Sequence, residues 1–216
     1  MDKLIIVAGN IGVGKSTLTA MLSKALGWQP LYEAVDENPY LSDFYRDMRP
    51  WSFHSQVFFL SRRLRQYQYI AEMNGVVVQD RSVYEDAEIF AENLYRQGHM
   101  SDRDHGTYRG LYEAIATFLP HPDLVVYLRA SVPTLVDRIH RRGRDFERGM
   151  SRDYLQFLNA LYEEWIERFA LGPVLTVPAD NLDFVRNNGH MELIIARILD
   201  KLQGKETVSF ESPGVA

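Results

Sequence analysis

Gly9-Asn10-Ile11-Gly12-Val13-Gly14-Lys15-Ser16 satisfies G-x-x-x-x-G-K-[ST] at every fixed position, and this stretch decides the fold. At average composition, a chance match in a chain of this length is on the order of one per cent. The glycines let backbone N–H groups turn inward around phosphate oxygens, and the helix that follows offers its positive end. In such a loop Lys15 reaches the β- and γ-phosphates of a nucleoside triphosphate and the Ser16 hydroxyl ligates Mg²⁺, and residues 9–17, with Thr17 as the last, are the expected ATP-binding stretch. The flanks agree. Residues 4–8, Leu-Ile-Ile-Val-Ala, read as a strand buried on both faces, and residues 15–26 carry helical periodicity ended by Gly27.

The same alternation continues along the chain. Strands are expected at 30–32, 76–79, 124–128 and 174–177, with helices at 53–73, 85–96, 108–119, 132–142, 151–169 and 190–202. Short apolar strands separated by helices predict an α/β fold, with a parallel sheet of about five strands and helices on both faces. Ligands of such sheets bind outside the carboxyl ends of the strands. The glycine loop, Glu33 and Asp80-Arg81 all fall at such ends. Residues 1–203 read as one domain, and the tail 204–216 lacks periodicity and is expected to be frayed.

Composition narrows the class. The 216 residues carry a net charge of -5, which argues against broad nucleic-acid binding. Arginine is nevertheless concentrated at Arg62-Arg63-Leu64-Arg65 and from Arg138 to Arg148, as a site for a small polyanion requires. The count of cysteines is zero, so there is no disulfide framework and no thiolate chemistry. Met1-Asp2-Lys3 leads straight into a strand, and no apolar run is long enough to span a bilayer. The expectation is a cytoplasmic protein without a membrane partner.

A P-loop alone does not separate kinases from switches. No Asn-Lys-x-Asp signature and no D-x-x-G switch are found. Asp80 ends a buried strand and suits Mg²⁺ binding, while Arg81 can stabilise charge on a transferring phosphoryl group. Arg138, Arg142, Arg144 and Arg148, with Gly143 and Gly149, have the composition of a lid that closes over phosphates and excludes water.

Four segments then occur in order: residues 9–17, Trp51-Ser52-Phe53-His54-Ser55-Gln56, Asp80-Arg81-Ser82-Val83-Tyr84 and Arg138-Ile139-His140-Arg141-Arg142-Gly143-Arg144. Together they resemble the deoxyribonucleoside kinase family from about residue 3 to 184. Asp-Glu-Asn-Pro-Tyr at 36–40 is similar to the bacterial branch of deoxyadenosine and deoxyguanosine kinases. The resemblance implies that ATP, with Mg²⁺, phosphorylates the 5′-hydroxyl of a deoxyribonucleoside. It implies Glu33 as general base, Arg81 beside the 5′-oxygen, and Lys15 on the phosphates. Gln56 would pair with the base edge, Tyr45 and Glu147 would hold the sugar 3′-hydroxyl, and Arg63 and Asp86 would form a charged pair deep in the base pocket. Asp80 stands where the family often carries glutamate, which shortens its reach to the metal. Asp183-Phe184 falls where the family contacts the adenine of ATP. The family also implies a homodimer packed through helices, to which Phe90, Leu94 and Tyr95 are candidate contributors.

Two other readings use the same loop. A thymidylate-type monophosphate kinase needs cationic groups for an acceptor phosphate, whereas Glu33 and Tyr45 suit a neutral sugar. A regulatory P-loop protein needs no acceptor. Singly, each residue has an ordinary explanation: an exposed acid, a packing aromatic, or an ion pair holding two helices.

Overall fold

The computed structural model describes residues 3–33, 35–147 and 149–204. Arg148, counted with the lid, and residues 205–216, expected to be frayed, lie outside the described residues. Strand β1 (Lys3–Gly9) is buried beyond Lys3, and its apolar run suits the position it takes at the centre of the sheet. The remaining strands are β2 (Gln29–Leu31), β3 (Val76–Asp80), β4 (Leu124–Arg129) and β5 (Val174–Pro178), and their order is β2-β3-β1-β4-β5. Every pairing is parallel, with Lys3 opposite Val76 and Ile5 opposite Leu124. The chain places β3 on one side of β1 and β4 on the other, so the crevice at the carboxyl end of β1 is where such sheets take ligands. The P-loop sits there. Arg81 follows β3 directly, and its N–H donates to Val7 O at 3.1 Å.

Helices α1 (Lys15–Leu26) and α7 (Val132–Arg142) run as the periodicity predicts, each closed by a left-handed glycine, Gly27 or Gly143. Helix α3 (Met48–Glu72) starts before the expected residue 53, because Asp47 accepts a hydrogen bond from Arg49 N and caps it. Pro50 falls in that first turn, where it is tolerated. Helix α6 (Asp102–Ala116) likewise starts before 108, capped by Ser101. Helix α2 (Leu41–Arg46) was not expected, since six residues are too few to show a period. Between them α4 (Val83–Glu85), a π-helical stretch (Asp86–Ala91) and α5 (Glu92–Arg96) follow without a break. Helices α8 (Arg152–Arg168) and α9 (Asn188–Leu202) complete the chain.

One correction concerns the expected dimer contacts. Phe90 and Leu94 are buried in the chain's own core, so neither is available to a second subunit. Their apolar periodicity reports a helix facing inward, which looks the same in sequence as one facing a partner.

Candidate active site

A cleft of about 1010 Å³ opens at the carboxyl ends of β1 and β3. That lies at the upper end of the usual range for a ligand pocket. Its donor side is the P-loop. Gly9 has φ 141, and a Cβ there would lie 2.6 Å from Leu128 O; at Gly12, with φ 83, a Cβ would lie 2.7 Å from an Ile139 side-chain carbon. Both positions therefore need glycine on two counts, left-handed backbone and close approach. The loop is braced from outside: Asn10 Nδ2 donates to Asn159 Oδ1 at 2.7 Å and to Leu155 O at 3.0 Å. Lys15 is buried, and its Nζ donates to Asn10 O at 3.1 Å. Burial and, next, Arg81 push the Lys15 amine down to about 8, against the pull of Asp80, Glu33 and Glu85.

Asp80 Oδ2 accepts a hydrogen bond from Ser16 Oγ, and its buried Oδ1 has no partner among the described residues. Arg81 has φ 62, a left-handed backbone that costs a non-glycine residue about 1–3 kcal/mol. The turn aims its guanidinium into the cleft, where Nη1 donates to Glu33 Oε1 at 2.7 Å and the group lies 4.0 Å over the Phe90 ring. Burial pushes the Glu33 carboxyl up, but Arg81, Arg63, Lys15 and Arg144 together hold it below the usual range. Glu33 is thus ionised at neutral pH.

On the acceptor side Asp86 lines the cleft, while Arg63 lies outside that lining and donates from Nε to Asp86 Oδ2 at 3.0 Å, both groups being buried. Arg63 Nη1 also donates to Asp80 O at 3.1 Å. Burial pushes the Asp86 carboxyl up, opposed chiefly by Arg63. Gln56 lines the cleft with Oε1 buried and without a partner among the described residues. Tyr45 and Glu147 line it too; burial, with Tyr154 and Glu147 nearby, pushes the Tyr45 phenol up.

The arginines are all engaged within the protein. Arg138 meets the backbone, Nη1 donating to Val13 O at 2.8 Å and Nη2 to Ala179 O at 2.7 Å, so it braces the P-loop. Arg142 is paired with Glu147 through Nε at 3.1 Å and Nη2 at 2.7 Å, and Arg144 Nη1 lies 3.7 Å from the same carboxylate. The group expected on the sugar and those expected on the phosphates are thus one ion-paired cluster. Phe184 is buried beside Gly14, while Asp183 Oδ1 is engaged by the N–H groups of Val185 and Arg186. Sequence reasoning overlooked Tyr154 and Glu85, and it placed Phe90 at an interface, whereas Phe90 lines the cleft. For Glu85 a signal existed, because Ser82-Val83-Tyr84-Glu85 is a capping-box pattern, and both of its bonds form.

A P-loop beside an acid and an aimed arginine, in one cleft that continues past them to Gln56 and Asp86, fits a phosphotransferase acting on a small acceptor. Residues 5–203 match the deoxynucleoside kinase family. The deoxyadenosine/deoxycytidine kinase of Bacillus subtilis is 42% identical over 91% of this chain and 92% of its own. The deoxyguanosine kinase of the same organism is 36% identical over 90% and 95%. Among solved structures, the deoxyadenosine kinase of M. mycoides with bound products superimposes with a TM-score of 0.82 at 32% identity, covering 91% of this chain and 99% of that one. The chain belongs to the deoxynucleoside kinase family. It is an enzyme of ATP-dependent deoxynucleoside phosphorylation, and the monophosphate-kinase and regulatory readings are not favoured.

Proposed function

We propose that the enzyme phosphorylates the 5′-hydroxyl of deoxyadenosine best, deoxyguanosine or deoxycytidine next, and thymidine least. The carrying observation is the buried Arg63–Asp86 pair at 3.0 Å behind Gln56. Asp86 is an acceptor, so it suits the exocyclic amino group of adenine or cytosine. Thymine would turn O4 against it, acceptor to acceptor, and crowd its methyl group on Arg63. Guanine remains acceptable because Arg63 can donate to O6 and N7. Two relatives, named as deoxyadenosine/deoxycytidine and deoxyguanosine kinases, support this range.

In the reaction the 5′-oxygen attacks the γ-phosphorus, the bond to the β–γ bridging oxygen breaks, ADP leaves, and the hydroxyl proton passes to Glu33. A loose transition state asks little of the base before bond formation, so an ionised, weakly basic carboxylate held in place serves. Lys15 and Arg81 stabilise charge on the transferring group. Tyr45 and Glu147 hold the 3′-hydroxyl, and Arg138, Arg142, Arg144 and Phe184 border the donor, with Asp183 shaping the turn beneath it. Ser16 Oγ and Asp80 Oδ1, which has no partner among the described residues, would hold Mg²⁺ beside the phosphates. When bound, Mg²⁺ neutralises β- and γ-phosphate charge.

The kinase domain spans residues 1–203, supported by the family match over 5–203. We place the enzyme in the cytoplasm as a homodimer, the dimer being supported by the exposure of Tyr69 on α3 with Leu111 and Phe118 on and just after α6; among the described residues no helix is long and apolar enough to cross a membrane. The test supplies ATP and Mg²⁺ with a panel of nucleosides and monophosphates and identifies the products. Expected is dAMP as the leading product and dTMP as the slowest; thymidine as best acceptor overturns the base-pocket assignment.

A further inference from the structure

Glu85 is fully buried and takes no part in lining the cleft. Its carboxylate accepts four hydrogen bonds. Oε1 accepts from Gly9 N at 3.2 Å and Tyr162 Oη at 2.9 Å; Oε2 accepts from Ser82 N at 2.8 Å and Ser82 Oγ at 3.0 Å. The two backbone donors are not arbitrary. Gly9 begins the phosphate loop in a left-handed conformation, and Ser82 follows Arg81, whose own φ is 62. A buried carboxylate is costly unless its lone pairs are satisfied, and here two of the satisfying groups flank the elements that handle phosphate. A simple helix cap would need only the Ser82 side of this arrangement.

We infer that Glu85 is a positioning residue that joins the start of the P-loop to the Arg81 turn, so that the seat of the donor phosphates and the aim of the arginine are set as one unit. Burial pushes this carboxyl up, while Arg81, Lys15 and the Gly9 and Ser82 N–H groups pull it back, in keeping with a carboxylate held between two functional segments. The inference rests on the roles proposed above for the P-loop and Arg81.

Glu85→Gln tests it. The hydroxyls of Tyr162 and Ser82 can turn to accept from an amide NH₂, but a backbone N–H cannot, so one of the two clamps must open. Expected is a single-turnover rate lower by about 10–100-fold, the scale for small misplacements. The dissociation constant of Mg·AMPPNP per titrated site should rise, and that of deoxyadenosine measured alone should stay within about two-fold. A loss that tracks only the fraction of folded sites, with unchanged Mg·AMPPNP affinity per site, overturns the inference, as does an unchanged rate. Should Glu85→Gln not fold, Ser82→Ala serves: it weakens only the Arg81 side, so the rate should fall about 3–10-fold with Mg·AMPPNP affinity kept. No change in that variant is equally fatal. Arg81→Lys, run alongside, separates the layers. An active Arg81→Lys enzyme defeats the assigned role of Arg81, whereas a crippled Arg81→Lys with indifferent Glu85 and Ser82 variants defeats only the linkage.

Discussion

The donor side of the cleft comes from nine consecutive residues, Gly9 to Thr17, whereas the acceptor side takes Glu33, Tyr45, Gln56, Arg63, Asp86 and Glu147 from five separate stretches. In the roles proposed above, the P-loop would hold phosphate largely with backbone N–H groups, which no side-chain substitution removes, together with Lys15 and the arginines that border the cleft. The acceptor side recognises its ligand with side chains, several of them buried charges that satisfy one another: Glu33 with Arg81, Asp86 with Arg63, and Glu147 with Arg142. Backbone recognition is general and hard to retune. Side-chain recognition is selective, and every change to it must deal with the partner left behind.

The most damaging single change should fall on Lys15, the buried cation of the P-loop itself. Lys15→Ala is expected to lower kcat by about 10³-fold or more, through loss of charge stabilisation at the transferring phosphoryl group, with the circular dichroism spectrum retained. Near-normal turnover at saturating Mg·ATP would break the donor-side assignment.

Glu33→Gln is next. It keeps the shape but removes the proton acceptor, so kcat should fall about 10²–10³-fold with little change in nucleoside KM. The same pair gives a pH test. The folded-state carboxyl of Glu33 is depressed, so its stabilising contribution is present above the ordinary glutamate range and lost as pH falls through the lower folded value. The stability gap between wild type and Glu33→Gln in urea titrations should be open at pH 7 and close below about pH 4. A gap that does not change with pH denies the carboxylate its cationic neighbours.

Removing Asp86 alone should cost about 3–5 kcal/mol of stability, because Arg63 is left buried without its partner. Replacing Arg63 and Asp86 together by small apolar residues should recover much of that and shift relative kcat/KM towards thymidine. An unchanged purine-to-thymidine ratio in the double variant breaks the idea that side-chain charge sets acceptor choice.

The smallest effects sharpen the boundary between the halves. Arg144→Ala should lower kcat about 3–10-fold with nucleoside KM nearly unchanged, as expected of a group acting when the donor is enclosed. Arg142→Ala should also raise nucleoside KM, because it releases the buried Glu147 carboxylate. Equal kinetic profiles for the two variants would show that their distinction at Glu147 has no functional weight.

The P-loop, its strand and its helix were legible because they are local: glycines where φ is positive, a lysine and serine at fixed spacing, and periodic flanks. Helices α1 and α7 were readable to the residue for the same reason, with a glycine stop for each. Caps by Asp47 and Ser101 shifted α3 and α6, since a cap is a side-chain bond that apolar periodicity does not register. The residue types of the acceptor pocket were legible through resemblance, and so was the Arg63–Asp86 pair, which forms at 3.0 Å, but the other pairings were not. That Arg138 braces Val13, that Arg142 locks Glu147, that Phe90 lies under Arg81 instead of at an interface, and that Glu85 reaches Gly9 across 76 positions depends on the parallel order of the sheet. Sequence alone determined which groups could bind phosphate, because that chemistry is written in contiguous backbone. Only the tertiary structure decided which charges neutralise one another, because Coulomb attraction and desolvation act through distances that chain order does not set.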